Sequence, residues 1–383
     1  MTLAVIDDNT GAATQGAYRA SRLAGLDDAF VRRLAPAAVT AFTTPGFLAA
    51  LSATIVAEDG AELVMIGVTD EDDRPVALFP FSLRKQRGLR LIEGMGFGVS
   101  DYYAPILARG LELDAEATAS LWRAVRAALP PADAIRLSNV PRILYGRPHA
   151  LTGARFLGAM GHGATILPLE SGGVRLALGE LSVTRDVRRK AKKLAALGEV
   201  SLFEARTDAE MAELMDALVR FRRDRFAQVG RNDKLEEPGV EAFYRRLAAD
   251  RVARAYGLRV GGDVVAVVYG LQHDGIFTLI IPTMSADERY RSGSPGLVSV
   301  YMAIEAAIAA GDRVFDFSVG DLFYKTRFAA EKLELLEHVQ ALSLRGLPFV
   351  LGVRLRTAAR LFRQRHADLF AQLISLVRRK PTE

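Results

Sequence analysis

The sequence contains no cysteine and only five histidines. Without thiols the chain cannot form disulfides, thiolate zinc sites, iron–sulfur clusters or a cysteine nucleophile. The histidines include no close pair of the His-x-x-x-His kind, so no metal site is expected. They are His149, His162, His273, His338 and His366.

The sequence also lacks a hydrophobic stretch long enough to cross a membrane. Its apolar runs, such as Val264 to Tyr269 and Phe277 to Ile281, have the length of strands, whereas a spanning helix needs about 18 apolar residues. Residues 1 to 9 carry acidic side chains where a signal peptide would carry basic ones. We therefore expect a cytoplasmic protein without a membrane span.

Positive charge is concentrated at one end of the chain. The 383 residues include 50 Lys and Arg against 45 Asp and Glu, a net charge of +5. From Arg345 onward there are nine basic and two acidic residues, so residues 1–344 carry 41 − 43 = −2. Because nucleic-acid binders spread their basic residues over the domain that binds, nucleic acid is not an expected partner.

A similar pattern of strands and helices occurs in each half of the chain. Apolar strands at Glu62 to Thr69 and Val76 to Leu83 predict one hairpin, and Ala253 to Val260 with Val264 to Leu271 predict another. Each hairpin is followed by a further strand, a helix and a buried strand. These helices and final strands are Leu121–Leu129 with Ala134–Val140, and Val298–Ala309 with Arg313–Val319.

This repetition of a whole module predicts a tandem duplication. The alternation of strands and helices predicts an α/β fold in which each half has a mixed sheet covered by helices. The expected division is an N-terminal domain of residues 1–172, a C-terminal catalytic domain of residues 173–345 and a basic amphipathic helix within residues 346–383. The boundary lies near Gly172 and Gly173.

The predicted helix Val183 to Leu197 is strongly basic. A solvated helix face and a stripe that faces phosphate or membrane both fit this pattern. Its basic residues are Arg185, Arg188, Arg189, Lys190, Lys192 and Lys193.

The segment from Pro282 to Lys325 carries the most informative motifs. A strand leads into a loop with two arginines, after which Ser294 suits the N-cap of a helix and Pro295 its first turn. Backbone amides at such a glycine-flanked helix start can bind an anion. The segment therefore predicts a diphosphate cradle, with an ordinary capped helix as the alternative. The candidate cradle residues are Arg289, Arg291, Gly293, Ser294 and Gly296.

These motifs, in this order, resemble the GNAT acyltransferase fold in its CelD-like, FemAB-related branch, whose members have two GNAT-like halves. The resemblance covers about residues 30 to 345. The motifs of the second half are Ser294-Pro295-Gly296, Phe315-Asp316-Phe317, Gly320-Asp321 and Tyr324-Lys325. Those of the first half are Asp101-Tyr102, Pro105 and Asn139-Val140-Pro141.

The resemblance implies acyl transfer to an amine, with acyl-CoA as co-substrate and no metal. The pattern of acetyl-CoA-binding GNAT enzymes fits this loop only loosely, because Pro295 separates Gly293 from Gly296. Binding of the cofactor at this helix is therefore implied by the family. In the FemAB relatives the donor is aminoacyl-tRNA, which makes tRNA a partner under that alternative.

Four residues near the end of the last buried strand are candidates for the chemistry. Asp316 lies between two phenylalanines, where burial would raise its pKa and suit it to act as a base, although a structural role fits equally. Lys325 could neutralise the tetrahedral intermediate, and Tyr324 could protonate the leaving thiolate. An ion pair between Asp321 and Lys325 is the structural alternative.

The basic end of the chain predicts an amphipathic helix, Arg354 to Val377, with leucines and Phe362 on one side and arginines mostly on the other. This pattern is typical of a helix on an anionic membrane surface, and a terminal helix packed on the domain is the alternative. A membrane location suggests a lipid amine acceptor such as a sphingoid base, as in ceramide synthesis. A polysaccharide precursor, or a non-catalytic role in cellulose or exopolysaccharide production, fits the family as well.

Overall fold

The computed structural model describes residues 13–366, except residues 16–17, 27–28, 35, 38–39, 150, 152–156, 172, 321–322 and 329. In this part of the chain, 15 strands form one continuous mixed sheet. Two further pairs of two-residue strands lie outside it. The sequence-based expectation of an α/β fold is confirmed.

The strands are numbered in chain order. They are β1 (Ala13–Gln15), β2 (Tyr18–Leu23), β3 (Pro36–Ala37), β4 (Glu62–Thr69), β5 (Pro75–Gln86), β6 (Leu89–Gly94), β7 (Ile106–Ala108), β8 (Ala134–Pro141), β9 (Ile143–Leu144), β10 (Arg147–Pro148), β11 (Leu157–Pro168), β12 (Glu170–Ser171), β13 (Val174–Arg175), β14 (Val200–Glu204), β15 (Ala253–Val260), β16 (Asp263–His273), β17 (Ile276–Met284), β18 (Val314–Val319) and β19 (Glu331–Ala341).

The described residues form four short helices of three to five residues and seven longer ones. They are α1 (Ala29–Arg33), α2 (Pro45–Leu51), α3 (Ala57–Asp59), α4 (Ala115–Ala127), α5 (Ser182–Ala195), α6 (Asp208–Val229), α7 (Val240–Ala249), α8 (Glu288–Arg291), α9 (Pro295–Ala309), α10 (Phe323–Thr326) and α11 (Leu347–Arg365). A π-helical turn, Ser52–Val56, joins α2 to α3.

The repeated module is present in both halves. The hairpin β4–β5 and the hairpin β15–β16 are antiparallel, as their apolar runs and intervening polar turns predict. In each half a further strand then pairs with the hairpin, and a helix leads back to a parallel strand. These units are β6, α4 and β8 in the first half and β17, α9 and β18 in the second.

Two strands join the halves into one sheet. The strand β19 lies between β8 and β11, and β11 in turn pairs with β18. A strand from the end of the chain therefore connects directly to the last parallel strand of the first half. We propose residue 172 as the boundary between the halves, although the sheet itself is continuous.

The parallel strand pair of each half separates after three residue pairs. In the first half β6 and β8 pair as far as Glu93 and Arg136, and in the second β17 and β18 pair as far as Thr278 and Asp316. Beyond these points the backbones diverge, which opens a fork in the sheet. Each fork is a place where a ligand can enter between strands without breaking existing hydrogen bonds.

Helices cover the sheet and separate its apolar cores. One core packs α5 and α9 against the phenylalanines of β17 and β18, and includes Phe277, Phe315 and Phe317. A second core joins α2, α6 and α7 with residues of both halves. Because side chains alternate along a strand, Asp316 and Ser318 face the side opposite to α9.

No helix in the described part of the chain is both long and apolar enough to cross a membrane. Among the described residues, no group of three or more His, Asp or Glu side chains is arranged to hold a metal ion.

Candidate functional site

Asp316 lies at the fork of the second half and is completely buried, with an exposed fraction of 0%. Its carboxylate accepts three hydrogen bonds. Tyr102 donates to Oδ1 at 2.9 Å, Tyr145 to Oδ2 at 2.7 Å, and the backbone amide of Ser318 to Oδ1 at 2.6 Å. Both tyrosines come from the first half, so this carboxylate is a contact point between the two halves.

Burial raises the pKa of Asp316 to about 6, while the hydrogen bonds from Tyr145, Ser318 and Tyr102 act to lower it. The group is therefore ionised at neutral pH and still basic enough to accept a proton. Burial also raises the pKa of Tyr102 and of Tyr145 well above the usual range, with Asp316 as a further cause. Both hydroxyls consequently stay protonated and donate to the carboxylate.

A second carboxylate lies close to the first. Asp101 accepts a hydrogen bond from the hydroxyl of Ser318 at 2.5 Å. Burial raises the pKa of Asp101, whereas that hydrogen bond and the charge of Lys325 act in the opposite direction. Ser318 has a positive φ of 62°, which turns its amide and hydroxyl toward the two acids.

Lys325 is buried at the end of β18. Its ammonium donates to the backbone carbonyls of Phe317, Ser318 and Val319 at 2.8, 3.2 and 3.0 Å. These bonds satisfy carbonyl groups where the strand leaves the sheet. Its ammonium therefore fixes the backbone that orients Ser318 and, through it, both carboxylates.

Tyr324 packs against the end of β18. The ring of Tyr324 contacts that of Phe317 edge to face, with 6.1 Å between centroids, and burial raises the pKa of Tyr324 to about 12. Asp321 lies outside the described residues, so the predicted ion pair between Asp321 and Lys325 stays a prediction.

The start of α9 has a lysine beside it. Pro295 occupies the first turn of this 15-residue helix, as predicted. Ser294 is at the predicted N-cap position, with a φ of 44°. The expected hydrogen bond from its side chain to the first turn of the helix is absent. Instead its hydroxyl contacts the ammonium of Lys190 on α5 at 2.5 Å. Lys190 thus adds a positive charge where the helix dipole already favours an anion.

The two glycines of the predicted cradle allow close packing around this helix start. A Cβ at Gly293 would lie 2.4 Å from the side chain of Leu194, so the glycine lets α5 approach α9. A Cβ at Gly296 would lie 3.1 Å from the sulfur of Met284, at the end of β17. The adjacent hydroxyl of Thr283 is buried and has no hydrogen-bond partner among the described residues.

The two predicted arginines of the cradle are exposed and paired with acidic neighbours in α8 or at its N-cap. Arg289 contacts Asp287 at 2.7 Å, and Arg291 contacts Glu288 at 2.8 Å. His273 ends β16 beside the turn formed by Asp274 and Gly275.

The fork of the first half contains a cavity of about 260 Å³. It is lined by polar and aromatic side chains, among them Ser82, Arg84, Glu93, Phe97, Tyr102, Tyr103, Arg136, Ser138 and Asn139. The hydroxyl of Tyr103 is buried there without a hydrogen-bond partner among the described residues. Tyr102 separates this cavity from Asp316, because its ring lines the cavity and its hydroxyl donates to the carboxylate.

The structure brings Asp316 and Lys325 together around Ser318, and it brings Gly293, Ser294 and Gly296 to the start of α9 beside β17. The side chains of Arg289 and Arg291 turn to their own acidic neighbours. The role of Tyr145 was not predicted, since it lies 171 residues from Asp316 and no motif marks it. Tyr102 belongs to the motif Asp101-Tyr102, but that motif predicted no role for it.

Residues 182–326 match the family described as acetyltransferase (GNAT) domain. No curated protein is similar enough in sequence to count as a relative. The matched segment contains α5, β14, the strands β15 to β18 and α9, which are the elements that form the fork around Asp316. The second half of the chain is thus similar to GNAT acetyltransferase domains.

Solved structures share the fold over most of the chain. The crystal structure of FemX is 12% identical, covers 78% of this chain and 92% of its own, and gives a TM-score of 0.52. The C-terminal domain of a putative lysylphosphatidylglycerol synthetase from Agrobacterium fabrum is 13% identical, with 79% and 90% covered and a TM-score of 0.51. A conserved protein of unknown function from Bacteroides thetaiotaomicron is 11% identical, with 83% and 98% covered and a TM-score of 0.51.

At these identities the likeness is one of fold. The predicted resemblance to FemAB-related proteins with two GNAT-like halves is confirmed at that level. The chain therefore has the GNAT-type fold in a tandem arrangement, with a segment in its second half that matches the GNAT domain family.

Proposed function

We propose that the protein transfers an acyl group from acyl-CoA to an amine at the fork of its second half. The observation that carries this proposal is the position of Asp316. It is a buried carboxylate with a pKa of about 6 at the point where β17 and β18 separate. Acyl transfer from a thioester needs a base for the attacking amine, and a group with this pKa meets the need at neutral pH.

The donor's diphosphate is proposed to bind at the start of α9. Two features support this position: the helix dipole and the ammonium of Lys190. Arg289 and Arg291 would contribute only after leaving the carboxylates they now contact, so we assign them a secondary role.

The proton path is proposed to run through Tyr145. This residue is only half-buried, whereas Asp316 is fully enclosed. The acceptor's ammonium would give a proton to the Tyr145 hydroxyl as that hydroxyl gives its own to Asp316, 2.7 Å away, which leaves a neutral amine. The amine nitrogen then attacks the thioester carbonyl and the carbon–sulfur bond breaks. Tyr324 gives its proton to the thiolate and takes the second proton from the nitrogen of the new amide. Lys325 has a positioning role, because its ammonium is already bound to three carbonyls.

The acceptor is proposed to carry hydroxyl groups next to its amine. The cavity of the first half, which Tyr102 connects to Asp316, offers the hydroxyls of Ser82 and Ser138 and the amide of Asn139 for such groups. A sphingoid base and an amino-sugar precursor of a polysaccharide both have this chemistry. We place the reaction in the cytoplasm, where acyl-CoA is available.

Product formation tests the proposal. Purified protein is incubated with acetyl-CoA or palmitoyl-CoA and with either sphinganine or glucosamine, and thiol release and N-acylated product are followed by mass spectrometry. We expect an amide product that disappears in the Asp316→Asn variant. If product forms from aminoacyl-tRNA and from no acyl-CoA, a FemAB-like aminoacyl transfer replaces this proposal. If the protein neither binds nor turns over any of these donors, it is a non-catalytic module.

A further inference from the structure

The helix α11 exposes a row of large apolar side chains. Leu347, Leu351, Leu355 and Phe362 are 53%, 59%, 60% and 58% exposed. Their spacings of four, four and seven residues place them on one face of the helix. Leu344, in the turn just before α11, is 84% exposed. We call these five residues the apolar stripe.

Exposed large apolar side chains are concentrated in and just before α11. Of ten large hydrophobic side chains that are exposed in the described part of the chain, six lie between Leu344 and Phe362. A concentration of this kind marks an interaction surface more often than isolated exposed leucines do.

The opposite side of α11 attaches the helix to the sheet. Val350 and Val353 are 6% and 2% exposed and pack with residues of β8 and β19. The hydroxyl of Thr357 donates to Glu337 at 3.2 Å, and Arg360 donates to the carbonyl of Met160 at 3.1 Å. The stripe therefore faces away from the body of the protein, on a helix that is already held in place.

The residues around the stripe carry one sign of charge. Between residues 345 and 365 there are six arginines and no acidic residue, namely Arg345, Arg354, Arg356, Arg360, Arg363 and Arg365. Arg354 lies three residues beyond Leu351, and Arg365 three beyond Phe362, so both border the stripe. Apolar side chains bordered by arginines match the interface of a bilayer whose headgroups are anionic.

We infer that α11 binds the surface of an anionic lipid bilayer, with the apolar stripe among the acyl chains and the arginines at the headgroups. A second copy of the chain is a poorer occupant, because the same arginines would face each other across a symmetric contact. The inference does not depend on the acyl-transfer proposal, since it rests on α11 alone.

Vesicle co-sedimentation of the full chain tests this inference. The protein is mixed with vesicles of phosphatidylcholine alone, or of equal parts phosphatidylcholine and phosphatidylglycerol. We expect binding to the mixed vesicles that weakens as salt is added, and little binding to phosphatidylcholine alone. Equal binding to both vesicles, or none to either, would overturn the inference.

Two sets of variants identify the side chains of α11 that bind the vesicles. Leu351→Ser with Leu355→Ser should abolish binding, whereas Leu197→Ser, at a leucine that is 50% exposed outside α11, should leave it unchanged. Arg363→Glu with Arg365→Glu should weaken binding by at least about tenfold. Arg74→Glu with Arg206→Glu, at two well exposed arginines elsewhere, should have little effect.

Two further measurements separate membrane binding from unfolding and from self-association. Thermal unfolding of each variant shows whether it is folded. If the double leucine variant is destabilised, the double arginine variant decides whether α11 binds the bilayer. Sedimentation equilibrium without lipid detects self-association. The inference would be contradicted if the protein is a dimer that the double leucine variant converts to a monomer, while neither the leucine nor the arginine variant changes vesicle binding.

Discussion

The hydroxyl of Tyr102 donates to the carboxylate of Asp316 at 2.9 Å, across 214 residues of sequence. This bond joins the segment after β6 in the first half to the middle of β18 in the second. Because Tyr102 also lines the cavity of the first half, the two forks share one side chain. A ligand that moves Tyr102 in the first fork would therefore change the hydrogen bonding of Asp316 in the second.

Replacing Asp316 tests its role as a base. We expect Asp316→Asn to lower kcat by about 100-fold or more, the range measured for loss of a general base. The affinity for CoA, measured by calorimetry, should stay within about twofold, because Asp316 is on the sheet face opposite to α9. A variant with the kcat of the original protein would exclude Asp316 from the chemistry.

The pH profile of the reaction provides a second test. The base must be ionised, so kcat/KM should fall as the pH drops below about 6, the pKa of Asp316. The hydrogen bond from Tyr145 lowers that pKa, so Tyr145→Phe should move the acidic limb of the profile to higher pH. Since Tyr145 is also the proposed proton relay, kcat should fall as well. An acidic limb that does not move would count against this contact as a determinant of the pKa.

Lys190 and Lys193 form a matched pair on α5 for testing the donor site. Lys190 contacts Ser294 at the start of α9, whereas Lys193 is exposed. Lys190→Ala should weaken CoA binding by roughly tenfold, the usual effect of losing a hydrogen bond to a charged group. Lys193→Ala should have a much smaller effect. Equal losses in calorimetric titrations would indicate that only the general positive charge of α5 matters.

Gly293 tests the packing of α5 against α9. The Cβ of an alanine would lie 2.4 Å from Leu194 Cδ2, so Gly293→Ala should destabilise the fold by about 1–3 kcal/mol. The double variant with Leu194→Ala should be more stable than the sum of the two single changes predicts, because it removes the clash. Additive changes in the free energy of unfolding would show that the contact is not the cause.

His149 makes the fold sensitive to acid. Its Nε2 contacts the carbonyl of Tyr103 at 3.0 Å, its Nδ1 accepts from the amide of Leu151, and burial lowers its pKa to about 4. Because this value is below the ordinary value of 6.5, the unfolded chain binds a proton first as the pH falls. The stability contributed by neutral His149 is therefore present above pH 6.5 and is lost as the pH falls to about 4. In His149→Gln this part of the pH dependence in denaturant titrations should disappear.

The repeated module and its elements could be predicted from local patterns in the chain. Apolar runs bounded by polar turns are local signals, so the hairpins β4–β5 and β15–β16 and the helix α9 could be predicted near their observed positions. The helix α4 is predicted only from Leu121, whereas it begins six residues earlier, at Ala115. Pro295 could be placed in the first helical turn for the same reason, because the preference depends on its own missing amide hydrogen.

The meeting of distant residues could be learned only from the folded chain. Contacts such as those of Asp316 with Tyr102 and Tyr145 join positions far apart in the sequence, and no local pattern encodes which hydroxyl reaches a given carboxylate. The position of β19 between β8 and β11 could not be predicted either, because other strand orders are compatible with the same local sequence preferences. Burial and pKa depend on all neighbours at once, which is why they follow from the three-dimensional packing and not from composition.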